Sequence, residues 1–251
     1  MPPIREYGSW NKRETDTLDQ EEPRRKYVFI CEGSKTEVHY FRALVDRRNE
    51  LGIHPLVDLC LWEKTEADEG LSNPQALVKF AQREKESNRW LFDSRYDRMI
   101  IVFDLDVYSR VGEGRGGGEG KATEFDKVKE SADANDILAV TNPSFELFLL
   151  LHADGAYDEF VRPNAKEILE NRKCGKQRFV QRLFTSVYKM NPKRNPGVGM
   201  LAKEVDTAIR AERHLNQSLD GALGELTCNI GRIIESIRED YSYTQSNNNP
   251  D

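Results

Sequence analysis

A chain of 251 residues with 38% hydrophobic and 32% charged content has room for one large domain, or for one domain with an extension, and is wet enough that part of it should stay unpacked. Its longest apolar runs, such as residues 145–151, are far too short to span a bilayer, and no apolar run near the N-terminus resembles a signal peptide, so a cytoplasmic protein without membrane contact is expected. The net charge of −6 argues against a general nucleic-acid binder, and four scattered cysteines (31, 60, 174 and 228) without a Cys-x-x-Cys pair favour reduced, buried thiols over a zinc site.

Residues 1–25 are mostly polar and read as a flexible N-terminal segment. Residues 26–31 (KYVFIC) form the first predicted strand, and 34–51 follow with helical periodicity, Val38, Phe41, Leu44 and Val45 sharing a face. A second strand is expected over 56–62 and an acidic loop over 63–70. Asn73-Pro74 then opens a helix running toward Trp90. The third strand is 99–103, the glycine-rich loop 111–120 leads into a helix over 122–132, and 136–140 is the fourth strand. Strands alternating with helices from 26 to about 152 predict an α/β domain, residues 26–160, with a mostly parallel sheet flanked by helices. Beyond Pro163 the pattern turns helical, with candidates at 164–173, 176–190, 201–219 and 229–241 and a break at 191–197. Residues 161–240 therefore read as a helical C-terminal extension, and 241–251 as a flexible tail.

That extension is basic. Between Arg162 and His214 stand thirteen Lys or Arg against five acids. Such runs are usually solvated helix faces, yet a local basic surface can hold a phosphate backbone on an acidic protein.

Five apolar residues, 99–103, lead straight into Asp104 and Asp106. Extended alternation would put both carboxylates on one face, where they could share a hard cation such as magnesium; a polar loop that merely begins Asp-x-Asp is the alternative. Glu32 follows the first strand with Gly33 behind it and has no local explanation. Glu37 has one, since Ser34 to Glu37 fits a capping box. Glu146 follows the fourth strand, and there too a helix start capped by Asn142 with Pro143 in the first turn is an equal reading. His152 reads as structural. The glycine loop fails the P-loop pattern at Arg115 and Ala122. Its Gly112-x-Gly114-x-x-Gly117 matches a dinucleotide fingerprint only formally, so a flexible excursion that gates substrate is preferred. Because ligands in open α/β sheets collect at the carboxyl ends of strands, Glu32, Asp104 and Asp106 can converge.

Glu32-Gly33-x-x-Thr36-Glu37-x-x-Tyr40-Phe41, then Asp104-x-Asp106, then Asn142-Pro143-Ser144-Phe145-Glu146-Leu147 ending in His152, resembles the RloB family of Toprim-domain proteins over about residues 26–240. The resemblance implies a Toprim-like fold related to OLD-type nucleases. In it Glu32 would be the acid/base or metal-binding glutamate and Asp104 and Asp106 magnesium ligands. Glu37 would be a second metal-binding glutamate and Glu146 a further catalytic acid. It also implies a phage-defence setting beside an ABC- or AAA-type ATPase partner.

The expected function is thus a Mg²⁺- or Mn²⁺-dependent nuclease acting on DNA or RNA, with Lys189, Lys193 and Arg194 contacting the nucleic acid. Oligomeric state, homo-oligomer included, stays open. One alternative is a haloacid-dehalogenase-type phosphatase with Asp104 as nucleophile. Another is a catalytically silent module that binds nucleic acid or an ATPase.

Overall fold

Along β1 (Arg25–Cys31), successive side chains enter opposite apolar layers, Tyr27, Phe29 and Cys31 on one side and Val28 and Ile30 on the other. The computed structural model describes residues 25–65, 68, 71, 73–109 and 118–240. The remaining strands are β2 (Val57–Leu61), β3 (Arg98–Asp104), β4 (Ile137–Asn142), a separate antiparallel hairpin of β5 (Lys173–Cys174) and β6 (Gln177–Arg178), and β7 (Thr227–Cys228). The main sheet runs β2-β1-β3-β4-β7, parallel throughout except for β7. This is the mostly parallel α/β sheet that the alternating pattern predicts. Unbroken apolar strands such as β3 require cover on both faces, and they have it.

One face is covered by α1 (Thr36–Asp46), whose Val38, Phe41 and Leu44 meet Phe29, Ile100 and Val102. Phe29 and Phe41 stack with ring centroids 4.5 Å apart. The other face carries α2 (Pro74–Ser87), the short α3 (Asp106–Ser109) with its buried Tyr108, and α4 (Gly118–Ser131). Asn73 caps α2 as its sequence predicts, accepting from the Ala76 N–H at 2.8 Å with Pro74 in the first turn.

The later helices are α5 (Glu146–Leu150), α6 (Ala165–Glu170), α7 (Phe179–Tyr188), α8 (Val205–Glu212) and α9 (Ile230–Glu239). They bury Leu147, Val180, Phe184, Ile209 and Ile234 in the same apolar layer as α1. Residues beyond 161 therefore extend the core of the sheet and also lend it a strand. Asn229 continues the edge where β7 stops, its side chain accepting from the Val140 N–H at 2.8 Å and donating to the Leu138 carbonyl at 2.9 Å.

Three local readings change. The helix expected from 176 begins at Phe179, because Gln177 and Arg178 pair with β5 across a two-residue turn opened by Gly175 at φ +66°. The helix expected over 201–219 is a 3-10 segment, Pro196–Glu204, followed by the shorter α8. Cys31 and Cys228 are buried, but Cys60 and Cys174 are half-exposed where burial was expected. Residues 1–24, most of the glycine-rich loop and the tail 241–251 lie outside the described residues. Among the described residues no helix is long and apolar enough to cross a membrane.

Candidate active site

The chain leaves β1 through α1 toward β2 on one side of the sheet and returns through α2 to β3 on the other. Connections thus diverge between β1 and β3, and the crevice beyond their carboxyl ends is where open α/β sheets bind ligands. A pocket of about 270 Å³ opens there. Four carboxylates line it, those of Glu37, Asp104, Asp106 and Glu146, together with Arg178, Gln181 and Lys193 from the C-terminal half.

Each acid arrives by a local rule. Alternation along β3 sends Asp104 to the face of Ile100 and Val102, while Leu105 turns to the opposite layer with Phe103. The ladder ends at Asp104, and Asp106 reaches the pocket from the first residue of α3, not from an extended strand. Thr141, paired with Asp104 across β3 and β4, donates its hydroxyl to Asp104 Oδ1 at 2.6 Å. Asp106 Oδ2 stands 3.4 Å from a guanidinium nitrogen of Arg178.

Glu37 does not form the capping box its spacing suggests. Lys35 is the residue before the helix, no side chain caps α1, and the Glu37 carboxylate folds over Gly33 instead. Nor does Asn142 cap a helix. It closes β4, and its amide donates to the carbonyls of Ala222 and Glu225, both at 2.8 Å, while α5 starts at Glu146 without a side-chain cap. Glu146 is buried at the start of that helix and faces the pocket.

Glu32 lies at the edge of the pocket, outside its lining. Its Oε2 accepts from the Asp104 N–H at 3.4 Å. Lys64 donates to the Glu32 carbonyl and, at 3.0 Å, to the Leu71 carbonyl, tying the loop after β2 to the turn after β1. Of the three cations expected at nucleic acid, Lys193 reaches the pocket; Lys189, just after α7, and Arg194 are exposed and line no part of it. The Thr36 hydroxyl donates to the Pro192 carbonyl at 3.1 Å and so pins the Lys193 loop to the start of α1. His152 stays away from the pocket, held in the core by Tyr40 at 2.8 Å and by the Phe148 carbonyl at 3.0 Å.

The electrostatics follow from crowding in a dry place. Burial, then the charges of Glu37 and Glu146, hold the Asp104 carboxyl well above the usual range. Burial pushes Glu37 up to about 7, with Glu146 adding to the shift and Lys193 and Lys64 opposing it. Burial also raises Glu32 to about 7, against the Asp104 N–H and with help from Glu37 and Asp106. Such a group of acids is short of positive charge. Its all-oxygen donor chemistry fits a hard divalent cation such as Mg²⁺ or Mn²⁺. Among the described residues no three His, Cys, Asp or Glu side chains form a ready-made metal-binding group.

Arg178, Gln181 and Lys64 were not singled out by the sequence. Arg178 sits inside a basic run that reads collectively as a solvated face, and nothing local separates it from its neighbours.

A family model described as RloB-like protein matches residues 27–237, from β1 into α9. No curated protein and no solved structure matches the chain.

Proposed function

The chain belongs to the RloB-like protein family, and on that premise we propose that it is a Mg²⁺- or Mn²⁺-dependent nuclease hydrolysing phosphodiester bonds. One observation carries the reading: Glu37, Asp104, Asp106 and Glu146 meet at the switch point of the sheet, with Arg178 and Lys193 in the same pocket. Anionic walls with cations beside them suit a site that must hold both a metal and a phosphate.

When bound, the divalent cation would polarise the phosphodiester and offset the charge that develops on it. Asp104, Asp106 and Glu37 would hold it. Thr141, donating to Asp104 Oδ1, fixes the direction in which that carboxylate presents its remaining lone pairs. Glu32, at the edge and pushed up to about 7 by burial, would accept a proton from the attacking water and pass it to the leaving oxygen. Glu146 orients the cluster from the start of α5. Lys193 supplies positive charge to the phosphate.

The phosphatase alternative uses Asp104 as nucleophile and leaves Glu32, Glu37 and Glu146 without a task, so the nuclease is preferred. A phage-defence role with an ATPase partner belongs to the same proposal and rests on the family. The decisive test incubates the purified chain, alone and with a candidate ATPase encoded nearby, with DNA and RNA panels in Mg²⁺ or Mn²⁺. Cleavage that disappears in Asp104→Ala and Asp106→Ala supports the reading. Undiminished cleavage by both variants overturns it.

A further inference from the structure

Arg178 and Gln181 reach the carboxylate pocket from the junction of β6 and α7, more than seventy residues downstream of Asp104. Gln181 is 9% exposed, and no side-chain hydrogen bond to it occurs among the described residues. Its amide lines the pocket, where solvent or a ligand can pair with it. Arg178 is 39% exposed, and one guanidinium nitrogen reaches the Asn171 carbonyl at 3.4 Å while another faces Asp106 at 3.4 Å. Those contacts are long for a charge-assisted bond, so the fork is held near the acids without being consumed by them.

We propose that Arg178 and Gln181 form the subsite that grips a phosphate of the nucleic-acid substrate. The guanidinium takes the two non-bridging oxygens of the phosphate, and the Gln181 amide donates to one of them or to a neighbouring sugar oxygen. The idea rests on the nuclease reading and adds the residues that hold its substrate. A cation bound by Asp106 would compete with Arg178 for that carboxylate and turn the fork toward the phosphate. Metal and substrate then favour each other through the Arg178–Asp106 contact.

Fluorescence anisotropy of labelled single-stranded and duplex oligonucleotides, in EDTA and in Ca²⁺, reads this directly. Arg178→Ala should weaken binding about tenfold or more and flatten the slope of log affinity against log salt by about one. Gln181→Met, which keeps the volume, should weaken binding while leaving that slope unchanged, since it removes no charge. Arg178→Lys should restore the slope but only part of the affinity. The gain in affinity on adding Ca²⁺ should shrink in Arg178→Ala. Melting midpoints near the parent's would show that the variants fold. If the parent binds oligonucleotides and Arg178→Ala binds them equally, the subsite is wrong and the nuclease reading survives. If the parent neither binds nor cuts nucleic acid, the nuclease reading fails, and inorganic phosphate becomes the probe. Thermal protection by phosphate that Arg178→Ala abolishes then upholds the anion subsite, and no protection overturns it.

Discussion

The Glu37 carboxylate lies over Gly33, in the volume that a β-carbon at that position would take. The obstruction is the far end of a flexible side chain, so alanine at position 33 should displace the carboxylate and leave the backbone in place. Gly33→Ala is expected to melt close to the parent in EDTA and to lose most of the upward shift that Mg²⁺ is expected to give the parent. Differential scanning fluorimetry across a Mg²⁺ titration checks it. A full Mg²⁺ response in the variant would remove Glu37 from the cation site.

Tyr40 and His152 make the fold sensitive to acid. Burial holds the imidazole down to about 4, so the native core keeps it neutral, with Tyr40 donating to Nε2 and Nδ1 donating to the Phe148 carbonyl. The unfolded chain takes up the proton from about 6.5 downward. Stability is therefore whole above pH 6.5, falls as the pH drops toward 4, and loses nothing more from this residue below that. The gap corresponds to about 3 kcal/mol. Urea midpoints measured across that window should fall less steeply for His152→Gln than for the parent.

The sheet and the Asp104–Asp106 pair were legible because their signals are local. Apolar runs such as 99–103 announce buried strands, and a carboxylate directly behind one must find a cation, a proton or water. Glu37 was harder to place, since Ser34 to Glu37 has capping-box spacing and only the path of the turn shows the side chain bending over Gly33 instead. Asn142 misled for a similar reason. Its partners, the carbonyls of Ala222 and Glu225, lie eighty or more residues away and leave no trace in the neighbouring sequence. Arg178 and Gln181 were invisible because strands of two residues carry no periodicity, and because a pocket wall borrowed from another part of the chain follows from packing alone.

Glu212 joins two helices that the sequence presents as separate. It is fully buried at the end of α8 and accepts from the N–H groups of Gly231 at 2.7 Å and Arg232 at 2.9 Å in the first turn of α9. The Gln217 amide at 2.9 Å and the Cys228 thiol at 3.0 Å complete its shell. An anion there meets the positive end of the α9 dipole and satisfies donors that the helix cannot. Glu212→Ala would orphan those groups and should cost about 2–4 kcal/mol. Glu212→Gln, which keeps one acceptor, should cost less. Chemical denaturation gives both values, and equal losses would show that volume matters here more than the hydrogen bonds.

Asp104 should trade stability for metal binding. Its carboxyl is held well above the usual range by burial and by Glu37, Glu146 and Glu32, which means that its charge opposes folding near neutral pH when no cation is present. A group with a raised folded-state value favours the native state only while protonated, and this one loses that benefit as pH rises. Asp104→Asn keeps the oxygen that accepts from Thr141 and removes the charge. In EDTA at pH 7.5 the variant is expected to melt about 2–4 °C above the parent, for a relief of about 1 kcal/mol. On adding Mg²⁺ the order should reverse, because only the parent gains. A variant that melts below the parent in EDTA, or that keeps the Mg²⁺ shift, would mean that Asp104 is a structural carboxylate and not the centre of the site.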